Sequence, residues 1–101
     1  MQIILSSKNM QLTEGLKTFV NRKVAKFAKF FSPNSSLQVL IDVDHKKHGA
    51  PDEAVVEMVS DLGKKHIAVR ETGKTFYKAF FGAISKMKSS LSRESDRSHE
   101  H

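Results

Sequence analysis

A chain of 101 residues, 39% hydrophobic and 28% charged, has the apolar content of one packed domain and too little length for two, so wholesale disorder and a second core are excluded. It contains no cysteine, which removes disulfide frameworks and thiolate metal sites, and no apolar run approaches the ~20 residues of a membrane span. The net charge of +6 is unevenly placed: residues 1–31 carry six Lys/Arg against one acid, residues 32–73 five against seven, and residues 74–101 six against three.

The first ten residues, MQIILSSKNM, have neither a basic leader nor a long apolar segment, so no signal peptide is read and a cytoplasmic protein is expected. Gln2–Ser6 is a short apolar run bounded by Ser7-Lys8-Asn9 and predicts a strand. Thr13–Phe31 predicts a helix. At ~100° per residue Leu16, Val20, Val24, Phe27 and Phe31 share a stripe, with Phe19 and Phe30 at its edge. Thr13 is a good N-cap and Ser32-Pro33-Asn34 a breaker. Arg22, Lys26 and Lys29 gather within about 60° on the far side, while Lys23 falls inside the apolar arc, where its stem lies on the core and its ammonium reaches water.

Leu37–Asp44 alternates, with Leu37, Val39, Ile41 and Val43 on one face, and predicts a half-buried strand. After the polar loop 45–52, Ala54, Val56 and Met58 alternate with Val55, Glu57 and Val59 in a second strand. Asp61-Leu62-Gly63-Lys64 predicts a hairpin turn, and His66–Glu71 a shorter strand with Ile67 and Val69 inward. Thr75 is positioned to cap a last helix whose stripe is Phe76, Phe80, Ala83, Ile84, Met87 and Leu91, bordered by Tyr77. Lys78, Lys86 and Arg93 point away from that stripe, and Phe81 is out of register with it. A domain of residues 1–93 and a polar, mobile tail over 94–101 are expected.

The order β-α-β-β-β-α predicts an α+β fold: a four-stranded sheet in which three strands form a meander and the first joins by a right-handed helical crossover. Both helices have one apolar face, so they are expected side by side on one face of the sheet, their basic rows forming one positive surface. The open face is expected to carry Gln38, Asp42, Asp44, Glu57 and His66, polar and somewhat acidic. Such a positive surface suits a polyanion, although lysines that merely solvate two helices would give the same charge count.

Several collinear segments carry a family resemblance: Met1-Gln2-Ile3, Leu12-Thr13-Glu14-Gly15-Leu16, Phe19-Val20 with Lys23-Val24-Ala25-Lys26-Phe27, the closing Phe30-Phe31, and Phe76-Tyr77-Lys78-Ala79 followed by Lys86-Met87 and Leu91. Over about residues 1–93 the chain resembles the short ribosome hibernation promoting factor family, which includes the ribosome-associated inhibitor often called protein Y. The resemblance implies a fold similar to a double-stranded RNA-binding domain. It implies binding to ribosomal RNA of the small ribosomal subunit, in the channel of messenger and transfer RNA, with a block of translation under stress or in stationary phase. Pairing of idle ribosomes with the help of ribosome modulation factor is also implied for short members. Position by position, Lys23, Lys26, Lys86 and Arg93 match basic positions that contact ribosomal RNA.

The chain departs from the family at Thr75, where Asp is usual, and at Ser89 and Ser90, where Arg and Gln are common. Loss of a cation at Ser89 thins the second helix's surface, which Lys78 and Lys88 are placed to offset. Arg22 and Lys29, and further out Arg70 and Lys74, complete the candidate RNA contacts. The self-dimerising extra domain of long members is not seen, so a monomer is expected when free. His45, His48, Asp44 and Asp52 do not form a recognised ligand pattern, and Asp42 and Asp44 have no nucleophile or phosphate loop beside them, so no metal, cofactor or catalysis is expected. The competing readings are a general structured-RNA binder, and a protein–protein module using the open sheet face or Phe81; Phe81 is more simply a stray surface aromatic, though one able to stack on a base.

Overall fold

The computed structural model describes residues 2–8, 10–26, 35–62 and 65–99. Strands β1 (Gln2–Ser6), β2 (Ser36–Asp44), β3 (Glu53–Leu62) and β4 (Lys65–Gly73) form one sheet in the order β1-β2-β3-β4, with helices α1 (Glu14–Ala25) and α2 (Phe76–His99) in the connections and at the end. β1 lies parallel to β2, placing Ile3 opposite Leu37 and Leu5 opposite Val39. β2, β3 and β4 are antiparallel neighbours, with Val39 opposite Met58 and Met58 opposite Val69. The period-two alternation of the strands therefore resolves into one apolar side, with Leu37, Val39, Ile41, Val56 and Met58 wholly buried. Val20 and Val24 of α1 and Phe80, Ala83, Met87 and Leu91 of α2 close over that side.

Both helices start on a threonine. Thr13 Oγ1 accepts from the Leu16 N–H at 3.1 Å, and Thr75 Oγ1 accepts from the Lys78 N–H at 3.2 Å. Each cap satisfies a backbone donor of the first turn and contributes about 1 kcal/mol. Ser60 is the buried polar residue of the sheet; its hydroxyl donates to the Ser36 carbonyl at 3.1 Å. Its burial carries no unsatisfied group.

Several boundaries differ from the sequence reading. α1 is described over Glu14–Ala25, with Lys26 as its C-cap; the expected helix end at Phe31, together with Phe27, Lys29, Phe30, the Ser32-Pro33-Asn34 breaker and the turn residues Gly63 and Lys64, lies outside the described residues. β4 runs on to Gly73 because its whole length pairs with β3, a gain that local apolar spacing does not register. α2 continues through His99, across the expected boundary at residues 93–94. No glycine or proline follows Gly82 to stop it, and a nucleated helix adds one backbone hydrogen bond per residue without needing an apolar stripe.

Gly73 governs how β4 hands over to α2. A Cβ built there would lie 2.9 Å from the Ala79 backbone nitrogen and 3.1 Å from Lys78 Cβ, so any side chain forces the strand end and helix start apart. Gly73→Ala is expected to cost about 1–3 kcal/mol by overpacking and to lower the melting temperature by roughly 4–20 °C, read by circular dichroism. An unchanged melt would show that this junction yields freely.

Candidate nucleic-acid interface

The two helices are brought together by aromatic rings. Phe19 of α1 meets Phe76, Tyr77, Phe80 and Phe81 of α2 at centroid separations of 6.1, 5.1, 5.4 and 6.0 Å, mostly edge to face. Such pairs add about 0.5–1.5 kcal/mol each beyond their buried area, and here they fix which flanks of the helices adjoin. On α1, Lys23 and Lys26 follow Phe19 at i+4 and i+7, with Arg22 at i+3; on α2, Ile84 and Lys88 follow Tyr77 and Phe81 along one stripe. The seam is thus bordered by cations with aromatic rings between them.

Lys23 sits in this seam half-buried, its ammonium 5.7 Å from the Phe19 centroid and 5.8 Å from that of Phe81. The ring faces hold the charge electrostatically, and among the described residues no carboxylate neutralises it. Arg22, Lys26, Lys78 and Lys88 are exposed. Among the described residues no carboxylate pairs with these five cations. The composition of the helices explains why. Glu14, the acid of α1, bonds Lys17 at 3.4 Å, and residues 74–91 contain no acid at all.

Lys86 stands apart from this group. It lies about 200° around α2 from Lys88, on the flank over β4. Its Nζ donates to Glu71 Oε2 at 2.8 Å and to the Arg70 carbonyl at 3.4 Å. Glu71 occupies a helix-facing position of β4, and Gly82 leaves room for it: a Cβ there would come 2.6 Å from Glu71 Cγ. The hydrogen bond from Lys86 holds the Glu71 carboxyl below its ordinary value, against the opposing effect of burial. Lys86 therefore gives up this bond if it moves to a phosphate, and its net contribution there is reduced accordingly.

Of the remaining expected contacts, Lys29 and the side chain of Arg93 lie outside the described residues. Arg70 is on the open face of the sheet, its Nε donating to Glu57 Oε1 at 3.2 Å, and does not join the helix seam. That open face is less acidic than its sequence pattern implies. Lys46 pairs with Asp44 at 2.8 Å, lowering the carboxyl and raising the ammonium pKa through their hydrogen bond, and His66 bonds Asp61. Leu40 and Val59, both partly exposed, add apolar surface, with Ile4 41% exposed. A hollow of about 210 Å³ there, bordered by Lys8, Leu40, Asp42 and Arg70, is smaller than most small-molecule sites.

In the 45–52 loop, His45 Nδ1 lies 2.9 Å from Asp52 Oδ2, and His48 and Gly49 both have positive φ, the two-residue signature of a tight primed turn. Among the described residues no three His, Asp or Glu side chains are grouped to hold a metal, and no helix is long and apolar enough to cross a membrane. The exposed ring that the sequence leaves as a stray, Phe81, is held among Phe19, Phe80 and Lys23. Its i+4 spacing from Tyr77, another ring outside the core stripe, is the signal that could have found it.

Comparison with known proteins bears on the family and the fold. The family model described as Sigma 54 modulation protein / S30EA ribosomal protein matches residues 3–99. The chain is 26% identical to a Salmonella typhimurium protein named ribosome hibernation promoting factor and 27% identical to an Escherichia coli protein of the same name, each over 101 residues and 100% of both chains. Its fold is that of the Thermus thermophilus protein Y N-terminal domain, with a TM-score of 0.77 at 21% identity over 92% of this chain and 98% of the other. A ribosomal subunit interface protein from Coxiella burnetii gives a TM-score of 0.75 at 15% identity, covering 95% and 99%. With the family model matched over residues 3–99, nearly the whole of its length, the chain belongs to the Sigma 54 modulation protein / S30EA ribosomal protein family.

Proposed function

We propose that this protein is a non-enzymatic ribosome hibernation factor, which binds ribosomal RNA of the small subunit in the channel of messenger and transfer RNA and blocks translation by occupying it. The names of its full-length relatives support a role in ribosome hibernation. The observation that carries the RNA-binding part is the helix seam: five cations, Arg22, Lys23, Lys26, Lys78 and Lys88, without a described carboxylate partner, while seven of the eleven acids lie between Asp42 and Glu71, on the sheet and its loops. Neutralising phosphates releases condensed counterions, and that release supplies affinity without reading sequence. The domain's bulk then excludes the RNAs that normally occupy the channel. Lys29, Lys86 and Arg93 extend this surface in the proposal, and pairing of idle ribosomes with ribosome modulation factor would follow from the same placement.

Sedimentation tests it. The protein is expected to travel with purified small subunits through a sucrose gradient at low salt. With five phosphate contacts its affinity is expected to fall by roughly 10²–10³-fold between about 50 and 200 mM salt. Excess duplex RNA that strips the protein from subunits as well as added subunits do would identify a general structured-RNA binder instead.

A further inference from the structure

Two aromatic rings of the seam face water, Tyr77 at 55% and Phe81 at 46% exposure, although three others of the same cluster, Phe19, Phe76 and Phe80, turn into the fold. Single exposed aromatics need no explanation, but two rings one helical turn apart on a cationic seam are not accounted for by core packing. Phe81 is also fixed in place. It stands at 78° to Phe19 and 66° to Phe80, with centroids 6.0 and 6.1 Å away, so its ring has neighbours that hold its tilt. The ammonium of Lys23 lies 5.8 Å from its centroid.

We infer that Phe81 is a platform on which one unpaired nucleobase of the bound RNA stacks, with Lys23 and the exposed Lys88 and Lys26 taking the phosphates on either side. A nucleotide is the ligand that uses both halves of this site, because it joins a flat π-face to a negative charge. An apolar protein surface would cover the rings, but it would also strip water from Lys23, Lys26 and Lys88 with no anion in return. A continuous duplex cannot reach the platform either, since its base faces are already stacked on one another. The preferred ligand is therefore an RNA loop or bulge. The inference rests on the RNA-binding reading above and adds to it the kind of RNA contacted.

The test uses the full chain and two RNAs of equal length and charge, one fully paired and one with a single bulged adenosine. Fluorescence anisotropy is expected to show wild type binding the bulged RNA about tenfold more tightly. Phe81→Leu, which keeps an apolar contact to Phe19 and Phe80 and whose folding is checked by its thermal melt, is expected to remove that preference, lowering the affinity for the bulged RNA about tenfold more than the affinity for the paired RNA. Tyr77 is the single tyrosine of a chain without tryptophan, so its emission gives a second readout, expected to change with the bulged RNA only. Equal binding of both RNAs by wild type, or an equal loss for both in Phe81→Leu, overturns the platform; a patch meant for an apolar protein gives that result. Wild type binding neither RNA overturns the RNA-binding reading along with it, so the two failures are distinct.

Discussion

Reversing Arg22, Lys26 and Lys88 together to glutamate is expected to leave the protein at the top of a sucrose gradient in which the wild type travels with small subunits. The three residues border the helix seam from both sides, all are exposed, and the change takes the formal net charge from +6 to zero. Each lost phosphate contact removes its share of counterion release, and each new carboxylate adds repulsion from the polyanion. Together these effects should lower affinity by at least about 10³-fold at roughly 0.1 M salt. Folding should be spared in the main, because exposed substitutions away from packing contacts usually stay within about 0.5 kcal/mol. The exceptions are Arg22, in the last turn of α1, and Lys26, its C-cap, where a negative charge opposes the helix dipole by about 0.3–1 kcal/mol each. The triple glutamine variant controls for this, since it removes the cations without adding repulsion and should lose less affinity at an unchanged melting temperature. Undiminished co-sedimentation of the glutamate variant would show that the seam is not the binding surface.

Phe80→Ala is expected to destabilise the domain by about 3–5 kcal/mol, lowering its melting temperature by more than about 12 °C. Phe80 is wholly buried, and its ring lies 5.4 Å from Phe19 and 5.5 Å from Phe76, so it fills the space where both helices meet the sheet. Truncation there removes apolar burial and leaves a cavity that the four-stranded sheet beneath cannot collapse to fill. A typical domain has only about 5–15 kcal/mol of net stability, so this one change consumes a large fraction of it. Phe81, the next residue, is half exposed and should tolerate truncation far better in the same assay. Similar melting temperatures for Phe80→Ala and Phe81→Ala would mean that the helix pair does not depend on the buried ring. The comparison also separates folding from binding, since Phe80 makes no contact with solvent and Phe81 does.

The outline of the fold was legible in the residues because its elements bury one side each. Alternation over Leu37–Asp44 and residues 54–59, and the Phe76–Leu91 stripe, report directly which side chains face the core, and β1 has the bounds its apolar run predicts. The threonine caps were legible for the same local reason, as they involve groups three residues apart. Element ends were less so. The polar end of α2 has backbone hydrogen bonds but no apolar period, and the last residues of β4 are held by pairing with β3, not by their own composition.

What this chain's sequence determined alone is the element order, the buried faces and a supply of cations on two acid-poor helices, each fixed by local spacing and counting. Which cations act together was decided by tertiary structure. The Phe19 cluster sets the flanks at which α1 and α2 meet, and that choice gathers Lys23 with Phe81 while turning Lys86 toward Glu71. A helical wheel gives angles within one helix but not the rotation of one helix against another. That rotation is settled by packing between residues far apart in the chain, and with it the shape of the surface the cations make.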